Sequence, residues 1–222
     1  VEEFRPKRVA DCILPIQTKE VFQGFVEDGK IPNLLLSGPP GVGKTTAAKA
    51  MCDEIGVDHL MINGSNEGRN IDTVRTLLQQ YCSSVSMSGG RKVVIVDEAD
   101  YMNAESVQPA LRRFIEEFSA NVSFIFTCNF RNRIIDPIHS RCSVVEFTIP
   151  RADKPKLGQD CLVRVKEILT AKGIKFDEKV LVELVLKHFP DMRRVINELQ
   201  RYSSAGTIDA GILVQIGEIN LL

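Results

Sequence analysis

The chain has 222 residues, 44% hydrophobic and 26% charged, the balance of a folded globular protein with one large domain or two smaller ones. Lys and Arg number 28 against 29 Asp and Glu, a net charge of -1, so no global basic footprint marks it for nucleic acid. Any such contact has to come from a local patch. No apolar run approaches the ~18 residues of a membrane span, which predicts no membrane association. The N-terminal VEEFRPKRV does not read as a secretory signal, and a first residue of Val rather than Met reads as a fragment or a processed product. Cys12, Cys52, Cys82, Cys128, Cys142 and Cys161 stand far apart without a CxxC. That spacing argues against structural zinc and for free thiols in a reducing compartment.

In chain order, Val21, Phe22, Phe25 and Val26 recur at helical spacing, with Gly29 as a stop. Leu34 to Leu36 is an apolar strand that runs into Gly38-Pro39-Pro40-Gly41-Val42-Gly43-Lys44-Thr45-Thr46, and the Ala-rich stretch after it favours helix. His59 to Ile62 reads as a short strand, and Ile71, Val74, Leu77, Leu78 and Tyr81 as one helix face. Lys92 to Val96 reads as a buried strand. Val107 to Phe118 carries a helical stripe that Pro109 either kinks or starts. Val122 to Thr127 and Ser143 to Phe147 complete the strands. Strands alternating with helices predict an α/β fold, a parallel sheet covered by helices. Beyond Pro150 the pattern is helical with no convincing strand. Lys156 to Ala171 is capped by Gly173, Asp177 caps a helix to His188, Asp191 caps one to about Tyr202, and a last helix starts near Asp209. The expected boundary separates an α/β domain, 1–150, from a small helical domain, 151–222.

Gly38-x-x-x-x-Gly43-Lys44-Thr45 is the P-loop pattern, in the strand-then-helix context its mechanism requires. Glycines let backbone N–H groups close around phosphate, and the next helix points its N-terminus at the anion. Gly41, Val42, Gly43, Lys44, Thr45 and Thr46 are therefore the predicted nucleotide-binding residues, with Lys44 on the β- and γ-phosphates and Thr45 on Mg²⁺. Val93 to Val96 ends in Asp97-Glu98. Asp97 is placed to support Mg²⁺, and Glu98 to polarise the water that attacks the γ-phosphate. An acid beside the metal ligand favours hydrolysis over transfer, so ATP and Mg²⁺ are the expected cofactors. His59, His139 and His188 have no spacing for metal or base chemistry.

Four further marks make the whole chain resemble the AAA+ ATPases, and within them the small subunits of sliding-clamp loaders. They are Phe4-Arg5-Pro6, Thr127-Cys128-Asn129, Ser140-Arg141-Cys142 and Pro190-Asp191-Met192-Arg193. The text from Phe189 to Leu213 looks most like the small subunit of the clamp loaders of T-even-like bacteriophages. The resemblance implies an N-terminal arm over adenine at Phe4, with Glu2, Glu3 and Ile13 near the nucleotide. It implies a sensor at Asn129, a second sensor at Arg193 rather than Arg194, and an arginine finger at Arg141 that serves a neighbouring subunit. It further implies DNA contact at Arg69 linked to activation of the acidic motif, and subunit coupling through Gln108. Subunits of this kind continue into a third, collar domain, and this chain stops where that domain would begin.

The expected function is ATP hydrolysis in a clamp loader that opens a sliding clamp and places it on primer–template DNA during replication. Its partners would be the clamp, the DNA and other loader subunits, in the cytoplasm of an infected bacterial cell if the source is a phage. Two rival readings are another AAA+ DNA motor, such as a junction-migrating helicase, and a non-hydrolysing structural subunit. The Ser-Arg-Cys triplet opposes the first. The co-occurrence of Lys44, Asp97, Glu98 and Arg141 opposes the second.

Overall fold

The structure is a computed structural model that describes residues 4–86, 89–203 and 207–208. Five parallel strands form the central sheet: β1 (Leu34–Ser37), β2 (His59–Asn63), β3 (Lys92–Asp97), β4 (Val122–Cys128) and β5 (Ser143–Glu146). They lie in the order β2-β3-β4-β1-β5. The three inner strands are mainly apolar and almost wholly buried, whereas the edge strands β2 and β5 are mostly half-exposed or exposed. That is the signature of a sheet sandwiched between helices.

Alternate residues of each inner strand serve opposite faces. Leu35, Val94, Val96, Phe124 and Phe126 pack with α3 (Ile71–Ser83) and α4 (Val107–Glu117). Leu34, Leu36, Val93, Ile95 and Ile125 pack with α1 (Ile16–Glu27) and α2 (Lys44–Ile55). The α1 helix starts at Ile16, well before the Val21 stripe, because Pro15 fixes the chain one residue ahead and the added turn is largely exposed. Pro109 starts α4 rather than kinking it: it is the third helical residue, where its missing N–H has no intrahelical partner to lose. A four-residue helix, α5 (Asp136–His139), precedes β5.

Beyond the sheet, α6 (Lys154–Ala171), α7 (Glu178–His188) and α8 (Met192–Ser203) close a third core around Cys161, Val165, Leu181, Leu184, Val195 and Leu199. Asp177 caps α7 through the Lys179 N–H at 2.9 Å, and Asp191 caps α8 through the Arg194 N–H at 3.0 Å. The expectation of no strand here is corrected. A parallel pair, β6 (Lys175–Phe176) with β7 (Thr207–Ile208), ties the connection between α6 and α7 to the segment after α8. Two residues are too few to display a period of two, so sequence patterning cannot register them. The helix expected near Asp209 lies outside the described residues. Among the described residues, all six cysteines are free, and burial pushes the Cys12, Cys52, Cys142 and Cys161 thiols up to about 12. No described helix is long and apolar enough to cross a membrane.

Gln108, on the inner face of α4, is 1% exposed. Its amide nitrogen donates to the carbonyls of Arg133 at 2.9 Å and Met102 at 3.2 Å, and its oxygen accepts from the Ile135 N–H at 2.9 Å. One side chain thus satisfies three backbone groups of the loops that flank the sheet's C-terminal edge. Gln108→Leu leaves all three unpaired. Each such group costs ~1–3 kcal/mol when buried, so urea denaturation is expected to show a stability loss of about 3 kcal/mol with an unchanged m-value.

Candidate nucleotide-binding site

Strand β1 ends beside β4, with Ser37 opposite Cys128. The chain then turns through the P-loop into α2. A Cβ on Gly38 would come within 2.9 Å of the Phe147 backbone oxygen, so close packing demands glycine there. Gly41 and Gly43 have φ of 78° and 94°, left-handed values that glycine adopts without strain. Gly43 is also the residue from which α2 starts. The backbone amides of the loop and the positive end of the α2 dipole are together suited to receive an anion.

Lys44 lies at the base of that loop, 7% exposed. Its ammonium donates to the carbonyls of Gly38 (2.7 Å) and Pro39 (2.8 Å) and to Asn129 Oδ1 (2.9 Å). Burial pushes its pKa below the ordinary lysine value, while the Asp97 and Asp100 carboxylates act in the opposite direction. Thr45 Oγ1 donates to Asp97 Oδ1 at 2.6 Å, and Thr127 Oγ1 donates to the same oxygen. The Glu98 N–H in turn donates to Thr127 Oγ1 at 3.1 Å. Asn129 is held by its backbone N–H on Asp100 Oδ2, 3.2 Å away.

Glu98 has φ 54° and ψ 44°, the left-handed region, unlike every other non-glycine residue described. Such backbone conformations cost of order 1–3 kcal/mol, and the surroundings must hold them. Gly64 does part of this. Its N–H donates to the Asp97 carbonyl at 2.7 Å, and a Cβ there would lie 2.3 Å from the Glu98 carbonyl oxygen.

The same cleft is lined on its far side by Phe4 and Ile13 of the N-terminal arm, Arg164 and Ile168 of α6, and Met192, Arg193 and Ile196 of α8. Of the residues singled out in the sequence, Phe4, Ile13, Gly41 to Thr46, Asp97, Glu98, Asn129 and Arg193 converge here. Arg194 does not line the cleft. Glu2 and Glu3 lie outside the described residues. Arg141 is not brought to this cleft: it is half-buried beside α4, where its guanidinium binds Glu116 and donates to the Pro137 carbonyl at 2.7 Å. Arg69 ends an exposed 3-10 turn, also away from the cleft. Sequence reasoning missed Arg164, Ile168, Met192 and Ile196. Each pair is spaced i, i+4 on one helix, but ordinary core positions share that spacing, so nothing distinguished them.

Comparison with known proteins agrees with this geometry. Residues 34–149 match the profile of the ATPase family associated with various cellular activities (AAA). Residues 153–214 match that of the AAA+ ATPase lid domain of the sliding-clamp-loader large subunit. The chain is 44% identical to the sliding-clamp-loader large subunit of Escherichia phage RB69, over 96% of this chain and 67% of that protein. Its identity to the corresponding subunit of Enterobacteria phage T4 is 42%, with the same coverage. The replication factor C small subunit of Archaeoglobus fulgidus is 35% identical over 97% of this chain and 67% of that protein. The label of large or small subunit thus differs between the phage and Archaeoglobus proteins. Among solved structures, the Thermotoga maritima RuvB Holliday junction branch migration motor superposes with a TM-score of 0.73 over 97% of this chain and 72% of that one. At 17% identity, that likeness speaks to the fold alone. With a P-loop sheet and a helical unit joined around one nucleotide cleft, the chain belongs to the AAA family of ATPases.

Proposed function

We propose that this ATPase is a subunit of a sliding-clamp loader, which uses ATP to open a clamp and place it on primer–template DNA. The observation that carries the reading is the separation of the two arginines. Arg193 lines the chain's own cleft, while Arg141 lies outside it, half-buried beside α4. A site completed in trans by a neighbour's arginine suits an assembly of like subunits. The names of the relatives support the same reading.

In this reading residues 1–150 bind nucleotide and residues 151–222 form the lid. The P-loop amides from Gly41 to Thr46, with Lys44, hold the phosphates, Phe4 covers the base, and Glu2, Glu3 and Ile13 lie near the nucleotide. The Thr45 hydroxyl and the Asp97 carboxylate, 2.6 Å apart, suit Mg²⁺. That ion keeps several waters and needs only one or two protein oxygens beside the phosphates. Bound Mg²⁺ would neutralise charge on the phosphates. Glu98 orients and deprotonates the attacking water, Asn129 and Arg193 contact the γ-phosphate, and Arg141 acts on the neighbour's site. Arg69 contacts the DNA backbone.

Lys44→Ala is expected to weaken ATP binding by well over tenfold in calorimetry, since it removes a charge-assisted phosphate contact. Glu98→Gln should bind ATP normally yet turn over ~10²–10⁴-fold more slowly, the size of a general-base contribution. Because Arg141 acts in trans, turnover per subunit should rise with protein concentration. A fast rate that stays flat on dilution would remove Arg141 from the mechanism.

Adding primer–template DNA together with an RB69 or T4 sliding clamp should stimulate turnover, steeply less so at higher salt if phosphates are the contact. Arg69→Ala should reduce the DNA-stimulated rate more than the basal rate. Absence of any stimulation by DNA and clamp would overturn the clamp-loader reading.

A further inference from the structure

Helix α8 sits directly on the P-loop. The Met192 N–H donates to the Gly41 carbonyl at 3.1 Å. The Asp191 carboxylate lies so close to Gly41 that a Cβ built there would stand 1.9 Å from Oδ1 and 2.5 Å from Cγ. That same Oδ1 accepts the Arg194 N–H at 3.0 Å, and the Asp191 carbonyl accepts the Val195 N–H at 3.1 Å. Asp191 is itself held by its own N–H on the His188 carbonyl at 2.9 Å. One carboxylate oxygen therefore caps α8 and touches the loop that surrounds the phosphates.

Arg193 stands between these anchors. Its predecessor is tied to the P-loop through Gly41, and its successor to Asp191. Its side chain is exposed at the cleft, and its charge is near enough to Lys44 to lower that ammonium's pKa. The backbone of the first turn of α8 is what aims it. A carboxylate beside an anion site repels phosphate, which makes its presence an electrostatic cost. Geometry, rather than charge, accounts for its being there.

We infer that Asp191 is a positioning residue of the nucleotide site: it fixes the first turn of α8 against Gly41 and so aims Arg193 at the terminal phosphate. The inference rests on the proposed contact between Arg193 and the γ-phosphate. Asparagine caps a helix about as well as aspartate, whereas alanine does not. Asp191→Asn therefore keeps the cap and removes the charge, and Asp191→Ala removes both.

The test is calorimetric titration of the full chain with a non-hydrolysable ATP analogue and with ADP, read as the ratio of the two affinities. Asp191→Asn, which loses the same negative charge as Asp191→Ala, shows separately how far that loss alone moves the ratio. Arg193→Ala is expected to reduce the preference for triphosphate by about tenfold, the size of one charge-assisted hydrogen bond. Asp191→Ala should reproduce most of that loss, Asp191→Asn should retain the wild-type ratio, and the Asp191→Ala/Arg193→Ala double variant should be no worse than Arg193→Ala. If Arg193→Ala loses the preference and Asp191→Ala keeps it, with only a lower melting temperature, Asp191 is a helix cap and nothing more. If Arg193→Ala itself keeps the ratio, the γ-phosphate contact is wrong and the inference goes with it.

Discussion

The site depends on strand β4 ending between β1 and β3. Because the three strands are parallel and their registers align, Ser37 meets Cys128 and Val96 meets Phe126. Their C-terminal ends therefore open on one edge, where an α/β sheet ordinarily binds its ligand. Thr127 occupies the gap, its hydroxyl donating to Asp97 while accepting from the Glu98 N–H. A single β-branched alcohol thus holds both acidic residues beside the first turn of α2, which carries Thr45. Valine, of nearly the same shape, would fill the space, take from the carboxylate one of its two hydroxyl donors and leave the Glu98 amide without its acceptor.

The polar chemistry above the sheet is arranged by atoms that lie in the interior. Asp100, 5% exposed, accepts the N–H groups of Asn129 and Phe130. Asn129 in turn accepts from Lys44. The lysine's charge is met by carbonyls and an amide, neutral partners that leave it available to an anion. A carboxylate bonded directly to it would compete with phosphate for the same ammonium. Gln108 performs a related task at the edge, joining α4 to the segment that leads toward α5 and Arg141. Displacement of that segment must therefore disturb a satisfied buried amide, which ties the segment to α4.

The third core is the other half of the site. Ile13 packs against it from the N-terminal arm, and the Phe4 carbonyl accepts from Arg164 at 3.4 Å. The arm therefore runs between the sheet unit and α6. Lys172, at the C-terminal end of α6, stands 5.2 Å from the centre of the Phe4 ring. A cleft shared by two packed units and an arm changes shape when any one of them moves.

The sequence by itself determined the elements whose signals are local. Four consecutive aliphatics before Asp97 specify a strand buried on both faces. The glycine spacing before Lys44 specifies a phosphate loop, because only backbone amides without side chains can close on an anion. Asp177 and Asp191 were legible as caps because a carboxylate two or three residues ahead of a free N–H acts within one turn. Tertiary structure alone decided what depends on chain segments far apart in sequence. Gly64 reads as a turn glycine until β2 pairs with β3 and brings it against the Glu98 carbonyl. Arg164 and Ile168 read as ordinary helix residues until α6 packs across the cleft from the P-loop. The choice of Arg193 over its neighbour came from a motif, and its physical reason is the seating of α8 on Gly41. Residue patterns encode the period of a helix or strand, but the distance between two elements emerges only when their cores have closed.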